Sequence, residues 1–449
     1  MSSTDSLQKP GDVIIESLKL LNINNVITDL DEFLIEINLY EDIFSNFIRG
    51  EIALSDSRNL IENLQLMGEE YLILKFRTPT FPDAIEKTFR VFSITDRSIV
   101  KDNNTQTFIM HFVSQEMVAD ILLPIYRSFE GSIDDVVIDI FSNYVMMNRD
   151  LEVSEKDKTI KELEQVTLLN VLTETENKVK FVSPGWTPFK CINWLASKAI
   201  PKEGKACNFL FFESNKAFYF GSIESIFDFT NKNKSFIGTY TTAASNIPET
   251  KGSINKDFFI TETVDMISTT DHIKNYTNGY LANRLITLDL FNKKYELIDY
   301  DHTEEFSKYK HSSGEKSIPL FAGESLRNPS TNVGFYPINP KLFTGFSNNI
   351  SEKITTIYGN RKSNLLELTN LKLNINVPGR TDVEVGSMLR FTYPQLGPRD
   401  NPSESFEDTL YSGYYIITAI RHKITKSSIL EHRMIMEIVK DSLSIGGDE

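Results

Sequence analysis

Residues 88–115 and 414–441 follow one pattern at a constant spacing and without a gap. Phe89 corresponds to Tyr415, Val91 to Ile417, Ile94 to Ile420 and Arg97 to Lys423. Beyond the turn, Phe108 corresponds to Met434, Ile109-Met110 to Ile435-Met436 and Phe112-Val113 to Ile438-Val439. Alternation alone has only two phases, but matching two strands together with the turn between them is a tighter constraint. Upstream, Gly68 ahead of 72–76 resembles Gly386 ahead of 388–391. The chain therefore reads as mixed and mainly β: two similar small antiparallel β-barrels from an internal duplication, with an inserted α+β module and a connecting arm.

Boundaries follow from local signals. Residues 1–25 read as an N-terminal arm and 26–130 as the first barrel, with strands at 48–54, 72–77, 88–99 and 106–113. A short helix behind Asp56 or Ser57 is expected to bury Leu60, Ile61, Leu64 and Met67. The inserted module spans 131–235: Ser132 caps a helix through Tyr144, 151–165 is a mixed-charge loop, and Thr187-Pro188 opens a second helix. A hairpin over 207–222 closes it. A return segment with a hairpin around Asn292-Lys293 fills 236–311, and 312–369 is an arm and helical connector, the helix interrupted at Gly359. Closing strands of the second barrel occupy 370–442, and 443–449 is a tail.

Motifs for chemistry are nearly absent. There is no GxSxG, HExxH, CxxC or GxGxxG. Gly314-Glu315-Lys316-Ser317 ends like a phosphate loop but lacks its glycine spacing, and Asp301-His302-Thr303-Glu304-Glu305 has no usual metal-ligand spacing. His111 reads as a packed strand residue and His422 as a solvated or interface one. Trp186 and Trp194 read as core, and Cys191 and Cys207 as buried free thiols of a protein made in a reducing cytoplasm. The N-terminus lacks the features of a signal peptide, and no run of about 18 apolar residues predicts membrane insertion. A net charge of −15 argues against gripping nucleic acid.

Three stretches then carry a family resemblance. The runs NINVPGRTDVEVGSMLRFTYP (374–394), SGYYIITAIRHKI (412–424) and EHRMIMEIVKDS (431–442) resemble the closing barrel of phage baseplate hub proteins. RGEIALSDSRNLIENLQLMGEEYLILKFRTP (49–79) resembles their first barrel. SPGWTPFKCINWLASKA (183–199), FLFFESNKAFYFGSIESI (209–226) and RLITLDLFNKKYELIDYDHTEEF (284–306) resemble the segments between. The likeness is to the central hub of contractile-tailed, T-even-like phages. It implies a non-enzymatic virion protein of the tail baseplate, made in the host cytoplasm and holding no cofactor or metal. It further implies a homotrimer whose barrels form a pseudo-six-fold ring, joining the tail tube protein to a trimeric central spike that bears lysozyme in T-even-like relatives. Baseplate wedge proteins surround such a hub, and DNA passes through without specific binding.

Within such a ring, acidic side chains facing the lumen would repel DNA and let it slide. The candidates are Asp29, Asp31, Glu32, Glu36, Glu41 and Asp42, whose stretch also reads as a solvated strand face. Competing readings are a phage or secretion-system cell-wall hydrolase with carboxylates in the inserted module, and a tail-tube adaptor protein.

Overall fold

The computed structural model describes residues 9–100 (save 80 and 82), 105–146, 168–227 (save 205), 236–242, 256–268, 271–313, 316–317, 326–338, 350–395 and 407–443. The expected loop at 151–165 and the Gly314-Glu315 pair lie outside the described residues.

The N-terminal half contains β1 (Ile14–Leu21), β2 (Ile27–Asp29), β3 (Leu34–Asp42), β4 (Arg49–Asp56), β5 (Tyr71–Arg77), β6 (Ala84–Val100) and β7 (Thr105–Ser114). The inserted module supplies β8 (Ser128–Ser132), β9 (Leu169–Val171), β10 (Lys178–Val182), β11 (Phe209–Glu213) and β12 (Phe218–Ser222). Next come β13 (Phe236–Thr241), β14 (Thr263–Ser268), β15 (Ala282–Asp289), β16 (Lys294–Asp301), β17 (Lys316–Ser317) and β18 (Val333–Ile338). The chain closes with β19 (Leu371–Pro378), β20 (Met388–Thr392), β21 (Gly413–Lys426), β22 (Leu430–Lys440) and β23 (Ser442–Leu443).

One large sheet runs through both halves in the order β14-β19-β22-β21-β3-β4-β7-β6-β5-β1-β2, with β20 and β13 branching from β21. Its pairing repeats. In the first half β3-β4-β7-β6-β5 are neighbours in turn, and in the second β14-β19-β22-β21-β20 are. The register repeats too, since Ile52 faces Met110 as Ile375 faces Met436. Even the irregularity recurs: β6 bulges between Val91 and Ser93, and β21 between Ile417 and Ala419. At that bulge each long strand leaves one pairing surface for another, as bulges bend strands. Gly68 and Gly386 precede β5 and β20 with φ of +93° and +77°, a conformation that favours glycine.

Each half has its own apolar core. The first gathers Leu18, Ile37, Ile52, Leu74, Phe89 and Phe112; the second gathers Ile375, Val385, Phe391, Tyr415, Ile420 and Met436. A third core belongs to the inserted module, where Val137, Ile140, Ile192, Phe211 and Phe218 pack with Trp186 and Trp194 at their margin. Its helix Ile133–Ile140 is capped by Ser132, whose hydroxyl accepts from the Asp135 amide. Its helix Pro188–Ala196 is capped differently from expectation: Asp120, not Thr187, accepts from the Phe189 amide at 2.6 Å.

Several expectations are corrected. The N-terminal arm ends early, because Ile14, Leu18 and Leu20 zip β1 onto β5. The short helix is only Leu60–Asn63, held by Asp56 Oδ2 accepting from the Leu60 amide at 2.7 Å, and Met67 is 72% exposed. Part of the arm within 312–369 forms a strand, since β18 pairs parallel with β15. The helix Ile350–Glu367 runs through Gly359, where the missing side chain lets Tyr300 and Asn283 approach closely. Arg361 on this helix donates to the carbonyls of Ala196, Cys207 and Phe209, locking it to the inserted module.

Candidate functional site

Strands from opposite ends of the chain meet at one seam. β21 pairs antiparallel with β3 from Ala419 opposite Asp42 to Thr425 opposite Glu36. On the core side of the seam, Ile37, Leu39 and Glu41 share a parity, and Glu41 is buried with them. Its Oε1 accepts from His422 Nε2 at 3.0 Å, and its Oε2 accepts from the Asn215 amide at 2.9 Å. Asn215 lies in the β11–β12 turn, so one carboxylate ties both halves to the inserted module. His422 Nδ1 lies 3.1 Å from His432 Nε2. Burial, with His422 alongside, pushes the His432 pKa well below its ordinary value and favours its neutral ring. His422 is thus a buried link in a Glu–His–His chain rather than a solvated residue, because its strand parity is that of Ile420 and Ile424.

A second buried carboxylate docks the inserted module on the first half. Glu213 accepts from the Ile48 amide at 2.8 Å and the Ser114 hydroxyl, and its other oxygen meets Lys87 Nζ at 2.5 Å. Breaking such a pair costs several kcal/mol because the surviving charge stays buried.

The opposite face of the sheet is polar and mixed in sign. Glu36 stands 3.1 Å from Lys423 and 3.8 Å from Arg421. Lys372 pairs with Glu437 at 2.9 Å, and Arg433 with Glu262 at 2.6 Å and Glu431 at 3.3 Å. The acidic candidates for a lumen are therefore dispersed. Glu36 is on this face within ion pairs, and Asp42 is half-buried there with its Oδ1 accepting from the Phe44 amide. Asp29, Asp31 and Glu32 sit around β2 and the turn before β3, where Glu32 pairs with Arg58 at 2.7 Å. Glu41 faces the core and lines no surface, since it shares the parity of Ile37 and Leu39.

Among the described residues two of the large sheet's open edges are set by the repeat, and β2 and β13 are open as well. β14 pairs only with β19, and β6 beyond its Val91–Ser93 bulge pairs only with β7. The sequence reading did not single these out; the signal was present in Ile99, Met266 and Ile267, apolar residues on strands whose duplicates are covered.

His311, Glu367 and Asp441 place ligand atoms within 4.8 Å of one another. Their own hydrogen bonds occupy them. His311 donates to Asp441 Oδ2 at 3.0 Å and to the Phe306 carbonyl at 2.8 Å. Asp441 Oδ1 accepts from the Ser312 amide and hydroxyl and from Ser442. Burial lowers the His302 pKa to about 3 and raises that of Glu367, so it favours the neutral form of each across their 3.1 Å contact. Asp301 caps the helix His302–Glu305 through the Thr303 amide and meets Arg327 at 3.2 Å. His111 is satisfied by Thr95 at 2.8 Å. Cys191 and Cys207 are buried free thiols, burial pushing the Cys207 pKa up to about 12.

No family model matches the sequence, and no curated protein resembles it in sequence. The fold has counterparts. A tail protein from Neisseria meningitidis MC58 superimposes with a TM-score of 0.51 at 8% identity, covering 96% of this chain and 97% of that one. The 43 kDa tail protein of prophage MuSo2 from Shewanella oneidensis gives 0.50 at 8% identity, covering 96% and 100%. The chain has the fold of these tail proteins. The likeness spans both halves and everything between them, so the duplicated sheet and the inserted module belong to one shared architecture.

Proposed function

We propose that this chain is a non-enzymatic structural protein of a phage tail, the central hub of a contractile baseplate. Three copies close into a ring of six similar β units, which joins a six-fold tail tube on one side to a trimeric spike on the other, within wedge proteins. The observation that carries this reading is the repeat of pairing and register between the two halves, joined edge to edge at β3·β21. A chain holding two copies of one unit presents six similar surfaces in a trimer while keeping true three-fold symmetry elsewhere. The tail-protein fold at nearly full coverage supports the same reading.

The polar face of the large sheet is the surface we assign to the DNA passage. Its cations lie against carboxylates: Lys423 and Arg421 against Glu36, Lys372 against Glu437. Cations already engaged in this way are poor ligands for phosphates, whose binding depends on uncompensated Lys and Arg. Passage without retention then rests on internal pairing as much as on net negative charge. The test is the mass of the purified full chain in solution by native mass spectrometry, alone and with its spike protein. A trimer is expected, and a monomer in both conditions would overturn the reading.

A further inference from the structure

We propose that the outer half of β6 in one protomer pairs antiparallel with β14 of the next copy of this chain, in the register already used inside the chain at β3·β21. This rests on the ring reading above and specifies its intermolecular joint.

The duplication supplies the argument. By pairing order, β3 in the first half is the counterpart of β14 in the second, and β6 is the counterpart of β21. Within one chain, β21 of the second half is sealed by β3 of the first. The remaining counterparts, β6 beyond its bulge and β14, each have one edge unpaired among the described residues. An uncovered strand edge presents a row of backbone donors and acceptors, a template for another strand.

Register transfers through the shared neighbours. Ile99 faces Gln106 on β7, and Ile424 faces His432 at the corresponding place on β22. A second bulge in β6, between Thr95 and Ser98 and absent from β21, shifts the gapless sequence match by one, so Ser98 rather than Arg97 corresponds to Lys423 and Ile99 to Ile424. Likewise Ile37 faces Ile52 and Val264 faces Ile375, which makes Val264 the counterpart of Ile37. Since Ile424 is opposite Ile37 in the closed seam, Ile99 falls opposite Val264 of the neighbour, with Ser98 opposite Asp265 and Val100 opposite Thr263. Opposed β-branched side chains are favourable cross-strand pairs.

Burial separates the two copies as this joint requires. Ile424 is 0% exposed, whereas Ile99 is 71% exposed; Leu39 is 0% exposed, whereas its counterpart Met266 is 49% exposed. The open edges are therefore apolar where the closed seam is apolar. The contact is heterologous, β6 of one copy to β14 of the next, so it propagates and must close into a ring. It also lacks the Glu41–His422 bond, because β6 carries at that place a bulge with Asp96 at φ +52°. The joint between chains thus rests on backbone pairing, with Ile99 against Val264 on one face and Ser98 against Asp265 on the other.

Cysteine pairing on the full chain tests the register. Directly opposed residues of an antiparallel pair lie near disulfide distance. Oxidising the double variant Ile99→Cys, Val264→Cys is expected to give covalent dimers and trimers on a denaturing gel, while each single variant stays monomeric. Ile99→Lys, at a position exposed in the monomer, is expected to keep its circular dichroism and weaken trimer formation by roughly 100-fold, because a lysine would be buried unpaired. A wild-type trimer that neither cross-links nor responds to Ile99→Lys would overturn this joint and leave the ring reading standing. Covalent dimers from Val264→Cys alone would also overturn it, in favour of β14 pairing with itself. A wild-type monomer would remove both.

Discussion

Glu41 and His422 stand 381 positions apart in sequence, yet their side chains meet at 3.0 Å with neither exposed to solvent. Glu41→Ala removes the acceptor for His422 and for the Asn215 amide together. It is expected to cost roughly 3 kcal/mol, in the range for breaking a buried charged contact. Glu41→Gln keeps an acceptor and is expected to cost less. Thermal unfolding by differential scanning calorimetry ranks the two, and equal midpoints would refute the role given to the carboxylate.

Acid should weaken the fold in a defined window. Burial depresses His302 to about 3 and holds His432 well below 6.5. A histidine whose folded pKa lies below its unfolded one binds its proton more readily in the unfolded state. Its contribution is complete above about pH 6.5 and is lost as pH falls from there towards the folded value, by up to roughly 1.4 kcal/mol per pH unit for each ring. His311 has the opposite sign: burial works to lower it, but the Asp441 carboxylate wins and holds it at about 9. Its contribution is present below pH 6.5 and fades as pH rises through 9. Unfolding midpoints measured from pH 5 to pH 10 should fall on both sides, and a flat profile would contradict both assignments.

Glu213→Ala is expected to release the inserted module without melting the large sheet. Hydrogen exchange should quicken across Phe209–Glu213 and at the Ile48 amide, while β21 and β22 remain protected. Uniform quickening across the chain would mean that Glu213 supports the whole fold.

Gly379→Ala is expected to be disruptive. A Cβ there would fall inside contact distance of the buried His432 ring, which packs edge-on against Phe76 at 5.5 Å. A loss of about 3 kcal/mol is expected from such overpacking. Soluble, wild-type-like protein with an unshifted midpoint would show that the seam yields more than this packing implies.

Reversing one charge on the polar face tests the account of DNA passage. Glu36→Lys leaves Arg421 and Lys423 without their carboxylate. Retention of duplex DNA on filters at low salt should appear, with a dissociation constant in the non-specific range of roughly 10⁻⁴ to 10⁻⁶ M, and should vanish as salt is raised. No gain in retention would move the passage away from this face.

Much of the sheet was legible because alternation with period two survives in β6, β7, β21 and β22, although the turns differ in length and the extra bulge residue of β6 hides the difference in a gapless match. The same alternation marked Glu41 as core, in step with Ile37 and Leu39, a parity that a tally of nearby acidic residues overlooks. β13 and β14 were not legible as members of the second half, since about a hundred residues separate β14 from β19, and sequence patterns carry no signal for so distant a pairing. Gly359 misled because a glycine within a helix weakens it in isolation, whereas here Tyr300 occupies the space a side chain would take. The open edges escaped notice for a related reason: exposure belongs to the assembled sheet, and two strands of identical pattern differ only in what lies beside them.

The β3·β21 seam also sets a clock. At about 5–20 residues per second of synthesis, β3 waits roughly 20–80 s for the strand that will cover it. During that interval the nascent chain carries an open edge beside a nearly complete first half, exposed to any other copy being made nearby. A neighbour's newly made β21 is as good a match as its own, so the earliest hazard for this protein is exchange of C-terminal strands between copies. Speed of translation through the inserted module, and anything that shields β3 meanwhile, then governs how many chains close on themselves.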